Sequence, residues 1–446
     1  MSSVKTENKV IRDIKKIMST EPDYWDFKEN SERSHIHKLI KYPATMVPLM
    51  QSKLIELFIE HDKEIQLLLD PFMGSGTTIV EANSKGLNTI GIDINPFAYL
   101  ITEVKLKLID IDTLEEKTEC LIKRITENEE INFNFWFYKV EKWFKPDIIC
   151  ELSLIKKSIL EEKDVNYRRI MWIAFARTIQ YSSNDRESTF KLHAKPKEDI
   201  EVFEVDVRSY FFKTAREIIG LFREYYDGFF CRDSSTNLYC GNSIEVLKKV
   251  VPDESVDIIS TSPPYGDNAT TVTYGQYSML QLRWIPVEDI GIEINEGLLM
   301  NFSSLDRCSL GGTKYTKEDI NRSEILQRSR VLNDIYLKLI ASDEKKARKV
   351  VSFYIDYEQT LIELFRVIKW NKYLVFTVGN RKVDDEIVSL DQVTIELCKH
   401  LCGKCVYQFE RNILNKRMPN KVSKLKNNKP VSSMKKETIL IFIKSK

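Results

Sequence analysis

Residues 65–93 read IQLLLDPFMGSGTTIVEANSKGLNTIGID, and they constrain the fold more than any other stretch. The run 65–70 is short and apolar and ends in a carboxylate and a Pro-Phe turn, which predicts a buried strand. TTIVEANSK predicts a helix that stops at Gly86, a residue suited to the left-handed position after a helix. Residues 88–93 predict a second strand. Strand, glycine turn, helix and strand in immediate succession make a βαβ unit, and parallel strands of this kind need helices covering both sheet faces.

The turn itself carries chemistry. Asp70-Pro71-Phe72-Met73-Gly74-Ser75-Gly76-Thr77-Thr78 places two glycines between strand and helix. The backbone can there approach a ligand closely, and the helix N-terminus offers free N–H groups to a carboxylate or phosphate. Asp93 ends the next strand, where an acid can hold both hydroxyls of a ribose. No Gly-Lys-Ser/Thr follows, so this is no P-loop, and the absence of a full G-x-G-x-x-G counts against a dinucleotide.

The α/β rhythm then pauses. Residues 105–232 are helical in pattern and rich in aromatics, with Phe135-Trp136-Phe137-Tyr138 more suited to core than to base stacking and Ser182-Ser183-Asn184-Asp185-Arg186 read as a loop. The rhythm resumes with a strand at 238–243, a helix at 244–250 and a strand at 256–260. Residues 283–349 are polar and contain Gly311-Gly312, which reads as an insertion. A long helix (352–369), a strand (373–378), a helix (392–401) and strands near 406–413 and 438–443 complete seven strands.

Thr261-Ser262-Pro263-Pro264-Tyr265 directly follows the strand VDIIS. Two consecutive prolines fix the backbone and remove two N–H donors, which leaves carbonyls free to accept. A hydroxyl precedes them and an aromatic ring follows. Such a segment can accept from an exocyclic amino group while stacking a planar ring, as an enzyme acting on an extruded base requires.

Taken together, DPFMGSGTT, GIDINP, GNS and TSPPYGDN resemble the amino-group DNA methyltransferases that use S-adenosylmethionine (S-adenosyl-L-methionine). HKLIKYPATMVP (residues 37–48) is similar to that family's N-terminal motif; residues 375–380, 411–420 and the final ETILIFIK resemble its later strands. The resemblance covers roughly residues 30–110 and 235–446. It implies a doubly wound, seven-stranded α/β methyltransferase (Rossmann-like) sheet with an inserted helical subdomain. Ser rather than Asp before Pro-Pro-Tyr looks like the cytosine-N4 branch. The cofactor motif here precedes the catalytic one, unlike the commonest cytosine-N4 layout, which keeps adenine-N6 open as the alternative. Less favoured are a guanine-N2 RNA methylase, which usually shows Asp-Pro-Pro-Tyr, and a non-catalytic DNA-binding relative, against which both intact motifs argue.

By position, the resemblance implies that Tyr42, Pro43, Asp70, Phe72, Gly74, Ser75, Gly76, Thr77, Thr78 and Asn95 surround the cofactor, with its methionine end at the glycine turn. Asp93 would hold the ribose, Ile94 would lie against the adenine and Asn242 would bond the adenine amino group. Ser262 and the carbonyl of Pro263 would accept from the target amino group, with Pro264 and Tyr265 completing the catalytic segment and Tyr265 stacking on the base.

Charge and cysteine content bound the remaining possibilities. The net charge is only +1 over 446 residues, but residues 404–446 hold twelve Lys and Arg against two Glu, a basic segment that suggests a polyanionic partner. The eight cysteines are scattered, as in a reducing compartment. Cys398, Cys402 and Cys405 have the spacing of a radical iron–sulfur site, yet they straddle the end of a helix with Gly403 as its stop, which reads as core and cap. The five His show no ligand spacing beyond His35-x-His37, so no metal is expected. No Pro-Cys pair exists for a cytosine carbon-5 mechanism. No apolar run reaches the ~20 residues of a membrane span, and the chain reads as cytoplasmic.

The domain reading is 1–104 for the cofactor motifs, 105–234 for a helical insertion that recognises the target, and 235–446 for the catalytic part, with the 283–349 insertion and the basic segment. Arg307, Lys314 and Arg322 are candidate DNA contacts within 283–349. The expected activity is methylation of cytosine N4 in double-stranded DNA, in a restriction–modification system whose endonuclease is not stably bound.

Overall fold

A computed structural model of the chain describes residues 8–28, 34–128, 135–186, 190–268, 270–292, 297–414, 421–424, 430–432 and 435–446. The strands of the main sheet are β1 (Leu67–Asp70), β2 (Asn88–Asp93), β3 (Thr236–Cys240), β4 (Val256–Thr261), β5 (Ile368–Val378), β6 (Gly403–Asn412) and β7 (Lys436–Lys444). They lie in the order β3-β2-β1-β4-β5-β7-β6. The first five run parallel, and β7 is antiparallel to both β5 and β6. The fold is thus the doubly wound seven-stranded α/β sheet that the βαβ segment and the strand count led us to expect.

Alternation along the strands divides the core between the two faces. Leu68, Ile258, Val375, Ile439 and Ile441 pack on one side with the helices Lys9–Thr20 and Pro48–His61. Leu69, Ile259, Leu374, Phe376, Leu440 and Phe442 pack on the other against the 24-residue helix Glu344–Val367. Burial on both faces is why the central strands read as unbroken apolar runs.

The described residues of 105–234 are chiefly helical, in Ile111–Glu127, Pro146–Leu160, Val165–Ser182 and Val207–Gly228. Their core is continuous with the helix Pro96–Leu106 and with Tyr274–Trp284, whose buried Trp284 is ringed by Phe135, Phe137, Phe144 and Phe175. The aromatic run is divided: Phe137 is buried, whereas Trp136 and Tyr138 are 63% and 56% exposed. The described residues of the 283–349 segment form mostly short helices, among them Lys317–Ser323 with a Thr316–Asp319 capping box. Arg307, Lys314 and Arg322 are exposed on it.

Two details differ from expectation. After the helix Leu390–Lys399, Cys402 takes the left-handed position (φ +62°), not Gly403. Gly403 instead makes room for Phe365, since a Cβ there would lie 2.5 Å from its ring. In addition, β5 begins at Ile368, immediately after the long helix.

In the basic segment, Lys421–Lys424 and Pro430–Ser432 pair as a two-stranded ribbon. Lys416 and Arg417 lie outside the described residues. Among the described residues no helix is long and apolar enough to cross a membrane.

Candidate active site

Asp70, Asp93 and Thr261 end β1, β2 and β4, and beyond these ends lies one cleft, at the point where the strand order reverses and α/β sheets present ligand sites. It is open to solvent, and residues from the ends of β1, β2 and β4 and from the loops beyond them line it together.

One wall is the glycine turn. Gly74 and Gly76 have φ of +50° and +78°, which a side chain would strain. Gly76 is also crowded: a Cβ on it would lie 2.5 Å from Thr102 Cγ2. The helix Pro96–Leu106 clamps the turn from below. Thr102 Oγ1 donates to the Gly74 carbonyl at 3.2 Å, and the buried Lys105 Nζ donates to the Ser75 carbonyl at 2.6 Å. Asp93 Oδ2 accepts from the Gly74 N–H at 2.9 Å, and its Oδ1 from the Asn95 N–H at 2.8 Å. Burial pushes the Asp93 carboxyl up to about 6 despite those bonds.

Of the residues expected at the cofactor, Tyr42, Pro43, Phe72, Gly74, Ser75, Thr77, Asp93, Ile94, Asn95 and Asn242 line the cleft. Asp70, Gly76 and Thr78 do not. Asp70 is fully buried and organises the turn, its Oδ1 accepting from the Phe72 N–H at 3.0 Å and from the Thr261 hydroxyl at 2.6 Å. Desolvation lifts its carboxyl to about 7. Thr78 is buried within the helix Thr77–Ser84. Asn242 caps the helix Ser243–Val250, with Oδ1 accepting from Ile244 N–H at 2.9 Å.

The opposite wall carries Ser262 and Pro264; Pro263 and Tyr265, expected at the target base, are not among the residues that line it. Ser262 Oγ donates to the Thr377 carbonyl at 3.0 Å and lies 3.3 Å from Tyr265 Oη. Tyr265 Oη in turn donates to Glu437 Oε1 at 3.0 Å, and Glu437 is held by Arg411 at 2.6 Å. Residues 262–265 are therefore tied to β5, β6 and β7 at once. The loop that follows is pinned through buried Asp267, which pairs with Lys349 at 2.8 Å and Arg381 at 3.1 Å.

Sequence reasoning missed part of the lining. Tyr274 stacks on Tyr42 with centroids 5.9 Å apart and reaches the cleft from the helix Tyr274–Trp284. Asn268 lines it too, as do Leu305, Cys308, Ser309 and Leu310 from the 283–349 segment. The GDN of TSPPYGDN was a usable signal for Asn268; nothing local marks the others. Away from the cleft, His35, His37 and Glu81 form a buried trio with ligand-type atoms within 4.8 Å of one another, and His37 Nε2 bonds Glu81 Oε1 at 2.9 Å.

Comparison with known proteins decides the family. The family model described as DNA methylase matches residues 4–104. The Type II methyltransferase M.MvaI of Kocuria varians is 32% identical over 427 residues, which cover 93% of this chain and 92% of that protein. The chain belongs to the type II DNA methyltransferases. The methyltransferase is also similar to M.BsoBI of Geobacillus stearothermophilus, at 24% identity over 89% of this chain and 84% of that one. M.MjaII of Methanocaldococcus jannaschii is 35% identical over 30% of this chain and 26% of its own. The cofactor of this family, S-adenosylmethionine, is the methyl donor, and DNA is the substrate.

Proposed function

We propose that this methyltransferase moves the methyl group of S-adenosylmethionine onto N4 of cytosine in duplex DNA, as the modification half of a restriction–modification system whose endonuclease acts separately. Ser262 is the observation that carries the reading. Its one hydroxyl hydrogen is donated inside the protein, to the Thr377 carbonyl, so toward a ligand it offers lone pairs alone. It does so from the cleft that Gly74, Ser75 and Asp93 also line. A serine here, where adenine-N6 enzymes more often carry Asp, supports cytosine.

The residues present fit the cofactor. Asp93 supplies a carboxylate for ribose hydroxyls, and Ile94 and Phe72 supply apolar surface. Gly74 leaves space beside Tyr42, since a Cβ on it would stand 3.7 Å from Tyr42 Cε1. Asn242, expected to bond the adenine amino group, instead uses its oxygen as a helix cap, so its amide nitrogen is the group left to meet the adenine, at a ring nitrogen.

When bound, the cofactor supplies a methyl group already activated on a sulfonium, so the protein's task is alignment and desolvation more than base strength. Ser262 and the carbonyl of Pro263 accept from the target amino group and turn its lone pair toward the methyl carbon. Tyr265, next to Pro264 on the same turn though not itself in the cleft lining, is the ring assigned to stack on the extruded base. The helical block 105–234 is the proposed target reader, with the 283–349 segment flanking the base. Nucleoside analysis of DNA from cells expressing the protein tests the reading: N4-methylcytosine supports it, and N6-methyladenine reassigns the base.

A further inference from the structure

Asn268 stands six residues after Ser262, is 4% exposed and lines the same cleft. Its Oδ1 accepts from no donor among the described residues. A buried carbonyl oxygen without a partner is destabilising, and proteins rarely retain one without a use. The backbone presenting it is firmly held. Asp267, next in the chain, is gripped by Lys349, Arg381 and the Thr270 hydroxyl. Gly311 closes from the other side, where a Cβ would come within 3.0 Å of Asp267 Cβ. Asn268 thus combines a fixed main chain with a buried carboxamide oxygen that no described residue satisfies.

A carboxamide sets one acceptor beside one donor in a plane. That pairing matches a base edge with an amino group next to an unprotonated ring nitrogen. Cytosine presents this edge through its N4 amino group and N3, and adenine through its N6 amino group and N1. Deamination to uracil or hypoxanthine reverses it, with a carbonyl beside a ring N–H. We propose that Asn268 reads the Watson–Crick edge of the extruded target base. Its nitrogen donates to the ring nitrogen, and its oxygen accepts the amino hydrogen on that side, alongside the Pro263 carbonyl. Ser262 keeps the other hydrogen. The inference rests on the assignment of 262–265 as the place where the target amino group sits.

The test pairs two proteins with two DNAs, once the methylated site is mapped with wild-type protein. Competition binding, with S-adenosylhomocysteine present, compares duplexes carrying the target base or its deaminated counterpart. The wild-type preference for the amino base should shrink about tenfold in Asn268→Leu, the scale of one good bidentate base contact. Asn268→Ala, which a crowded site tolerates more readily, should shrink it similarly. Calorimetry should give both variants unchanged affinity for S-adenosylmethionine. An unchanged base preference in either folded variant overturns the proposal, as does a cofactor affinity that falls in its place. Wild-type protein that methylates no DNA amino group overturns the underlying assignment instead, before any variant is made.

Discussion

Asp93 accepts the Gly74 N–H at 2.9 Å, so the acid that ends β2 and the glycine turn after β1 form one hydrogen-bonded unit. If Asp93 holds the ribose, as proposed, ligand binding and turn geometry are coupled through that carboxylate. Burial holds its pKa at about 6, and ribose hydroxyls donate best to the ionised form. Affinity for S-adenosylmethionine should therefore rise as pH increases from about 5 to about 7, and Asp93→Asn should flatten the rise. Asp93→Ala should weaken binding by about 1–3 kcal/mol. The raised value also means that the free protein loses stability as pH rises through about 6, because the unfolded chain has already released that proton. Calorimetry over this range checks the first two; unchanged affinity in folded Asp93→Ala removes Asp93 from the site.

Gly76 and Thr102 make a second pair to perturb. Gly76→Ala strains a φ of +78° and drives a Cβ into the Thr102 side chain. It should cost about 1–3 kcal/mol in stability, and cofactor affinity should fall with it. Thr102→Ala on that background should recover part of both. A double variant whose losses simply add would show that the two positions do not touch.

The βαβ segment was legible because each of its residues is locally determined. Asn88–Asp93 is the strand that residues 88–93 led us to expect, and Gly86 takes the left-handed position that ends the helix before it. The fold class followed from that unit and from the strand count. The start of β5 was not legible, because no Gly or Pro separates the helix ending at Val367 from the strand beginning at Ile368. Nor could any local pattern bring Tyr274 and Leu310 to the cleft that Gly74 and Ser262 line. That approach depends on how the helix Tyr274–Trp284 and the 283–349 segment pack, which is tertiary information. Tyr265 illustrates the same limit: its motif marks the residue, but only the fold shows its hydroxyl bonded to Glu437.

Arg381 lies across Gly266, and its guanidinium reaches Asp267 at 3.1 Å. The loop after residues 262–265 is therefore held from outside the cleft. Arg381→Met should lower turnover about 10–100-fold, the penalty for small misplacements of a reacting group. Affinity for S-adenosylmethionine should stay within about twofold, since Arg381 does not line the cleft. Equal losses in turnover and cofactor binding would show that the loop supports both ligands.

The basic segment makes a separate prediction. If Lys416, Arg417, Lys421 and Lys424 meet DNA phosphates, neutralising them should weaken binding to specific and nonspecific duplexes about equally. Each lost contact should flatten the slope of log affinity against log salt by about 0.9. An unchanged slope would show that these charges are solvated and idle.

The central claim is that Ser262 and Tyr265 form the place where an amino group of DNA receives the methyl group. Tritiated methyl transfer to duplex DNA, followed by nucleoside analysis, tests it most directly. Tyr265→Ala removes a stacking face worth about 1–3 kcal/mol per base and should cut transfer heavily, with cofactor affinity near normal. Ser262→Ala should lower turnover more than affinity, because its bond matters most as the nitrogen changes geometry. The account predicts label on N4 of cytosine with wild-type protein and little label with either variant. Full transfer by the Ser262→Ala, Tyr265→Ala double variant would contradict it and make residues 261–265 a structural loop.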